Sequence, residues 1–211
     1  MRGGVLAAAL IVGAGAATAE PDELVGGGCR VRTVALAESG VAEVEARCAW
    51  DVPADSVLAI LRDPERLGAA LHALAECRRL ADGRILQVHT VGWPLADRQV
   101  TLDWREEPLD AGGTRFVYGR SARQEPLAAG RVEIAIDEGL WEVSEQARGG
   151  TALVYTSRYD AGGALEPFLV RRFQREGIAR SLAELRAAAL SAHYSTSGLG
   201  RGRPWALHAA K

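Results

Sequence analysis

The chain has 211 residues, with 25 basic and 27 acidic side chains and a formal charge of −2. That mild acidity argues against a nucleic-acid binder, which needs a basic excess to neutralise phosphates, and against electrostatic adsorption to anionic lipid. Lys211 is the sole Lys and Asn is absent, which we read as coding bias rather than function. The length favours one domain with room for a sizeable core or a cavity.

Arg2 precedes a small, apolar run from Val5 to Ala17, and Ala17-Thr18-Ala19 stands ahead of Glu20-Pro21. This is the layout of a secretory signal peptide, and the run is too short and Gly-rich for a membrane span. We therefore expect a signal peptide over 1–19, a flexible leader over 20–28, a folded domain over 29–192 and a disordered tail over 193–211. The mature protein is expected to be exported, periplasmic or secreted. Such a setting permits disulfides.

Arg30 to Leu36 and Val41 to Val52 read as two strands around Glu38-Ser39-Gly40, a hairpin signal. In the second strand Val44, Ala46, Cys48 and Trp50 share one face and Glu43, Glu45 and Arg47 the other, the alternation of a half-buried antiparallel strand. Cys29 and Cys48 lie near-symmetrically about the turn, so we expect them joined and Cys77 free. Three scattered cysteines have no zinc spacing, and no metal is expected. Asp55 is the expected cap of a helix carrying Val57, Leu58 and Leu61. Asp63-Pro64 breaks it, and a second short helix is expected from Glu65 to Ala75.

Strands follow in series: Ile85 to Val91, Gln99 to Glu106, Arg115 to Ser121, Arg131 to Ile136, Leu140 to Gln146 and Thr151 to Tyr159. Their connections carry Gly-Gly or Pro, as in Gly149-Gly150 and Glu125-Pro126. This predicts an antiparallel meander, apolar on one face. A long helix is expected from about Leu165 to Ala192. Its stripe of Leu165, Phe168, Leu169 and Phe173 is rotated from that of Ile178, Leu182, Leu185 and Ala189, so a kink near Gly177 or two packing surfaces is expected. The fold class is α+β: a curved antiparallel sheet closed by the C-terminal helix, with packed core or a ligand cavity between them.

Several segments resemble a known family. Gly92-Trp93-Pro94-Leu95-Ala96-Asp97-Arg98-Gln99 is similar to the W-P-hydrophobic…R-D segment of START (steroidogenic acute regulatory-related lipid-transfer) domains, with Gln99 where Asp is usual. Gly139-Leu140-Trp141 and Gly149-Gly150-Thr151 resemble the family's late strands. Asp160 to Val170 resembles the approach to its gating helix, except that Glu166 intrudes and sets Pro167 one place late. The likeness spans about Cys29 to Ala192. START domains belong to a wider helix-grip superfamily of ligand-binding proteins and polyketide cyclases.

The resemblance implies a helix-grip fold, with the sheet wrapped around the C-terminal helix and an apolar cavity for one lipid-like molecule. It implies a lid made of that helix and the loop Gln124 to Gly130, with Pro126 and Leu127 at its tip. The apolar faces read above then supply the cavity wall: Trp104, Phe116, Tyr118, Ile134, Trp141 and Tyr155 from strands, with Phe168, Leu169 and Phe173 from the helix. Arg120 shares the phase of Phe116 and Tyr118 and is the candidate headgroup anchor, against a bland reading as a strand-end arginine reaching solvent. The family's buried acid–base pair aligns with Ile85 and Trp104, neither of which is charged, so no sterol assignment follows.

Asp97 and Arg98 read as a turn contact. His89, beside Gln87 on the Ile85 face, is the best-placed histidine for chemistry but reads as an ordinary polar contact. No G-x-S-x-G, H-E-x-x-H, P-loop or paired C-x-x-C occurs. The expected function is binding and transfer of a hydrophobic small molecule or lipid, without a cofactor and without catalysis, by a monomer in transient contact with a membrane. One alternative is a superfamily enzyme of cyclase, aromatase or hydrolase type, using His89, Arg120 or Tyr118. The other is an interaction module with no small ligand.

Overall fold

A computed structural model of the chain describes residues 23–25, 27–35, 41–91, 94–110, 112–163 and 167–196; the side chains of 23–25, 34–35, 42, 167–175 and 194–196 lie outside the description. The expected signal peptide lies outside it as well.

The chain opens with β1 (Glu23–Val25), β2 (Cys29–Ala35) and β3 (Ala42–Trp50). Two helices follow, α1 (Ala54–Leu61) and α2 (Pro64–Ala70). Then come β4 (Leu74–Arg79), β5 (Ile85–His89), β6 (Arg98–Pro108), β7 (Thr114–Arg120), β8 (Val132–Glu133), β9 (Ile136–Glu145) and β10 (Thr151–Asp160). The long helix α3 (Pro167–Thr196) ends the described chain. The strands form one sheet in the order β1-β2-β3-β10-β9-β7-β6-β5-β4, antiparallel along that path, while β8 pairs parallel with β6. The sheet curves around α3, the α+β helix-grip architecture expected.

Alternation builds the inner face. Cys29, Val31, Val44, Ala46, Cys48, Trp50 and Leu153 are buried there while Arg30, Arg32 and Arg47 are exposed. Helix α1 buries Val57, Leu58, Ile60 and Leu61, and α3 buries Ile178, Leu182, Leu185 and Ala189, the second stripe expected. The helix runs unbroken through Gly177; its first stripe lies outside the described side chains. Cys29 and Cys48 face each other in the β2–β3 register and are bridged, and Cys77 is free and buried. Gly150, at φ +94°, closes the β9–β10 turn under the Trp50 carbonyl, where a Cβ would collide.

Several boundaries differ from expectation. Part of the leader is ordered: β1 pairs with β2, which satisfies the edge of β2. Pro53, not Asp55, caps α1, because the helix begins at Ala54 and no side chain makes a cap bond; Asp55 sits in the first turn. Helix α2 stops at Ala70, short of the expected Ala75, because Leu71 turns extended to start the approach to β4. Its cap is the Asp63 carboxylate, which accepts from Arg66 N–H at 3.1 Å. The expected strand Arg131 to Ile136 shrinks to two residues, and its last residue begins β9. The expected tail from 193 starts inside α3, which continues to Thr196.

Candidate functional site

A cavity of about 530 Å³ lies between the inner face of the sheet and α3. This is within the range of roughly 300–1,000 Å³ typical of small-molecule sites. Its floor is aromatic. Trp104 of β6 stacks on Tyr118 of β7, with ring centroids 5.5 Å apart and planes 18° from parallel. Trp141 of β9 meets Tyr155 of β10 at 4.0 Å. These rings adjoin because the strand ladders pair Trp104 with Tyr118 and Trp141 with Tyr155, and cross-strand aromatic pairs on one face reinforce each other. Gly139 makes room for Tyr118, since a Cβ there would run into the Tyr118 hydroxyl and the Thr156 carbonyl. Ile178, Ser181 and Leu182 of α3 form the roof. Exposed His72, Val91 and Arg180 border the mouth.

One wall is polar. Gln87, His89, Asp137, Ser157 and Tyr159 all face the cavity. His89 Nε2 lies 3.1 Å from Gln87 Oε1, an arrangement in which the ring nitrogen donates, and the ring stacks on Tyr159 at 5.8 Å. Asp137 Oδ2 is 3.7 Å from the same nitrogen, beyond hydrogen-bond length. The Asp137 side chain is 6% exposed. Burial pushes its carboxyl up from 3.8 to about 7, with neighbouring Glu138 adding to the rise. Burial also drives the His89 imidazole down to about 4. Loss of solvent disfavours the charged form of each: His89 is neutral at neutral pH, while Asp137 keeps its proton below about pH 7 and loses it above. The Tyr118 hydroxyl donates to the Tyr155 hydroxyl at 3.2 Å, and burial raises both phenols above their ordinary value.

Of the residues expected on the wall, Trp104, Tyr118, Trp141 and Tyr155 line the cavity. Phe116 and Ile134 do not. They are 1% and 0% exposed and belong to the packed core, Phe116 against Trp104. Their phase places them on the inner face but says nothing of where along the strand the cavity lies. Phe168, Leu169 and Phe173 lie outside the described side chains. Arg120 does not line this cavity. As the last residue of β7 it turns its guanidinium to β8, donating to the Ile134 carbonyl at 3.1 Å and to the Glu133 carboxylate. Arg98 is the turn contact expected, donating to the Ala96 carbonyl.

The loop expected as lid is placed elsewhere. Pro126 and Leu127 are exposed and border no part of the cavity. The loop instead fills a gap in the sheet. β7 pairs with β6 only from Leu102 onward and β8 pairs at Arg98 and Gln99; just past β7 the Ser121 N–H still donates to the Thr101 carbonyl at 2.8 Å, but the Thr101 N–H is left without a strand partner on that side. The Gln124 amide takes that place. Its Oε1 accepts from Thr101 N–H at 2.7 Å and its Nε2 donates to the Thr101 carbonyl at 2.9 Å. Gln99 Nε2 donates to the Pro126 carbonyl at 3.0 Å. A buried backbone group needs a partner, and the loop supplies one. The cavity rim is made by the α2–β4 connection, the β5–β6 loop at Thr90, Val91 and Leu95, and α3.

Asp137 was not singled out in the sequence. Its signal was present: carrying the alternation of Val143 and Trp141 back two steps puts Gly139 and Asp137 on the same inner face. Ending the strand at Leu140 hid it.

The chain matches the profile of the family described as polyketide cyclase/dehydrase and lipid transport over residues 41–190. No curated protein matches. Among solved structures it is similar to a STAR-related lipid transfer protein from Xanthomonas axonopodis (20% identity, 81% of this chain and 98% of that one, TM-score 0.71). It is also similar to human STARD10 (16% identity, 88% and 79%, TM-score 0.72). A more distant likeness is to the Zhui aromatase/cyclase of Streptomyces sp. R1128 (18% identity, 76% and 98%, TM-score 0.52). These identities speak to the fold, which is that of START domains within the helix-grip superfamily. The matched residues take in nearly all of the sheet and most of α3, and on that ground the chain belongs to the polyketide cyclase/dehydrase and lipid transport family.

Proposed function

We propose that this protein binds one hydrophobic small molecule of lipid type in the cavity under α3 and carries it through an extracytoplasmic compartment. The observation that carries this reading is the aromatic-floored cavity of about 530 Å³ between sheet and helix. Burial of apolar ligand surface supplies the affinity, at about 25 cal/mol per Å² before the costs of ordering. The family description includes lipid transport, and two of the structural neighbours are named as lipid-transfer or STARD proteins. Export is supported by the signal-like N-terminus and by the Cys29–Cys48 bridge, which persists in an oxidising compartment. Native mass spectrometry of the protein purified without detergent is the test. One apolar molecule per chain, recovered by organic extraction, is expected. A chain that leaves its host empty and takes up no apolar probe would overturn the reading.

The His89–Asp137 pair favours a second reading, an enzyme of aromatase/cyclase type. A neutral imidazole and a protonated carboxyl in one cavity can serve as base and acid for proton abstraction next to a carbonyl and loss of water. Turnover of a poly-β-ketone thioester that is abolished in His89→Gln, with the fold intact, would establish it; identical product profiles with and without the protein would dismiss it.

A further inference from the structure

We propose that the ligand carries an uncharged oxygen group, a hydroxyl or a carbonyl, at the end that meets Asp137, and that this carboxyl selects it over an anionic end. The proposal rests on the binding reading above and specifies its chemistry. The polar groups of the cavity are unequally occupied. Gln87 is engaged at both ends of its amide, by His89 at 3.1 Å and by the Cys77 sulfur at 3.6 Å. Tyr118 is spent on Tyr155. Asp137 differs: it is 6% exposed, faces the cavity, and its neighbour His89 Nε2 stands at 3.7 Å, too far to bond. A buried carboxyl in that position is costly unless something else satisfies it.

What satisfies it follows from charge. Of the residues lining the cavity, Arg180 is at the mouth and paired with Glu184 at 3.2 Å. Arg98 is buried nearby and donates to the Ala96 carbonyl, but does not line the space. His89 is held neutral by burial. No fixed cation therefore lines the inner wall among the described residues to receive a carboxylate or phosphate, and an anion there would face the Asp137 carboxyl. A neutral oxygen meets a carboxyl that can donate its proton to a carbonyl or accept one from a hydroxyl. Burial, which keeps the Asp137 proton on to about pH 7, supports the donor role.

Competition against an environment-sensitive apolar fluorophore tests this, using dodecanol, dodecanoate, dodecylammonium and chlorododecane as probes of matched chain. Dodecanol is expected to compete at least about tenfold better than dodecanoate and than chlorododecane, the loss expected for one buried hydrogen bond. Asp137→Leu should erase the advantage over chlorododecane, whereas Asp137→Asn, neutral and still a donor and acceptor, should keep it. Dodecanoate or dodecylammonium binding best would overturn the proposal, the latter by making Asp137 an ionised counter-ion. Equal binding of dodecanol and chlorododecane would overturn it and leave the lipid-binding reading standing. Failure of every probe, the fluorophore included, would overturn both. If Asp137→Leu does not fold, the wild-type ranking of the four probes decides alone.

Discussion

Asp137 sits on β9 between Ile136 and Glu138, and its side chain turns toward the cavity rather than to solvent. Around it stand Glu138, His89, Tyr118, Tyr155 and Tyr159, with Arg98 near Tyr159. The carboxyl and the imidazole pull stability in opposite directions. Asp137, raised to about 7, contributes stability that is full below about pH 4 and lost as pH rises through about 7. His89, lowered to about 4, contributes stability that is full above about pH 6.5 and lost as pH falls through about 4. Between about pH 4 and 6.5 the slopes oppose, and these two groups together leave the wild type nearly flat. Asp137→Asn is expected to make stability rise with pH over that window, and His89→Gln to make it fall. Urea midpoints measured across the window check both signs. At about pH 8, where the carboxyl is ionised and buried, Asp137→Asn should stabilise the protein by roughly 1–3 kcal/mol. Gly139 is the opposite case. Gly139→Ala forces a Cβ against the Thr156 carbonyl and the Tyr118 hydroxyl. It is expected to cost about 1–3 kcal/mol in urea unfolding and to displace the Tyr118 ring from the cavity floor.

At the scale of elements, the β2–β3 hairpin is closed by the Cys29–Cys48 bridge at a separation of 19 residues. Replacing both cysteines by Ser is expected to cost about 2–4 kcal/mol, read from denaturant midpoints with and without reductant; the double variant should be insensitive to reductant. The hairpin and its bridge were legible because Val44, Ala46, Cys48 and Trp50 alternate cleanly and the cysteines flank one turn. The same alternation found the phases of Trp104, Tyr118, Trp141 and Tyr155. It misled at Arg120, the last residue of β7, and at Ile134, which lies between β8 and β9, because phase does not tell strand end, core and cavity apart. The loop from Gln124 to Gly130 was illegible for a different reason. Its role depends on the ladder gap at Thr101, and that gap exists only because β7 ends at Arg120 and β8 pairs in parallel. No local pattern in Gln124-Glu125-Pro126-Leu127 records it. Helix α3 buries Leu182 fully, so Leu182→Ala should cost about 2–5 kcal/mol and loosen the cavity roof at once.

Across the whole molecule, the order of hairpin, helix pair, meander and long helix was readable because each strand announces a face and each connection carries Gly or Pro. The cavity was not, since its volume depends on how far α3 stands from the sheet, a distance set by packing of α1 and α2 between them. Ser181 lies on the α3 face that roofs the cavity, opposite the aromatic floor. Filling the space from there with Ser181→Trp leaves the sheet and the disulfide untouched. Titration of the wild type and of this variant with an environment-sensitive apolar fluorophore tests whether the space under α3 is the binding site. One saturable site per chain in the wild type, lost or weakened at least about tenfold in a folded Ser181→Trp protein, is the predicted result. Absence of saturable binding in the wild type, or equal binding by the plugged variant, would contradict it.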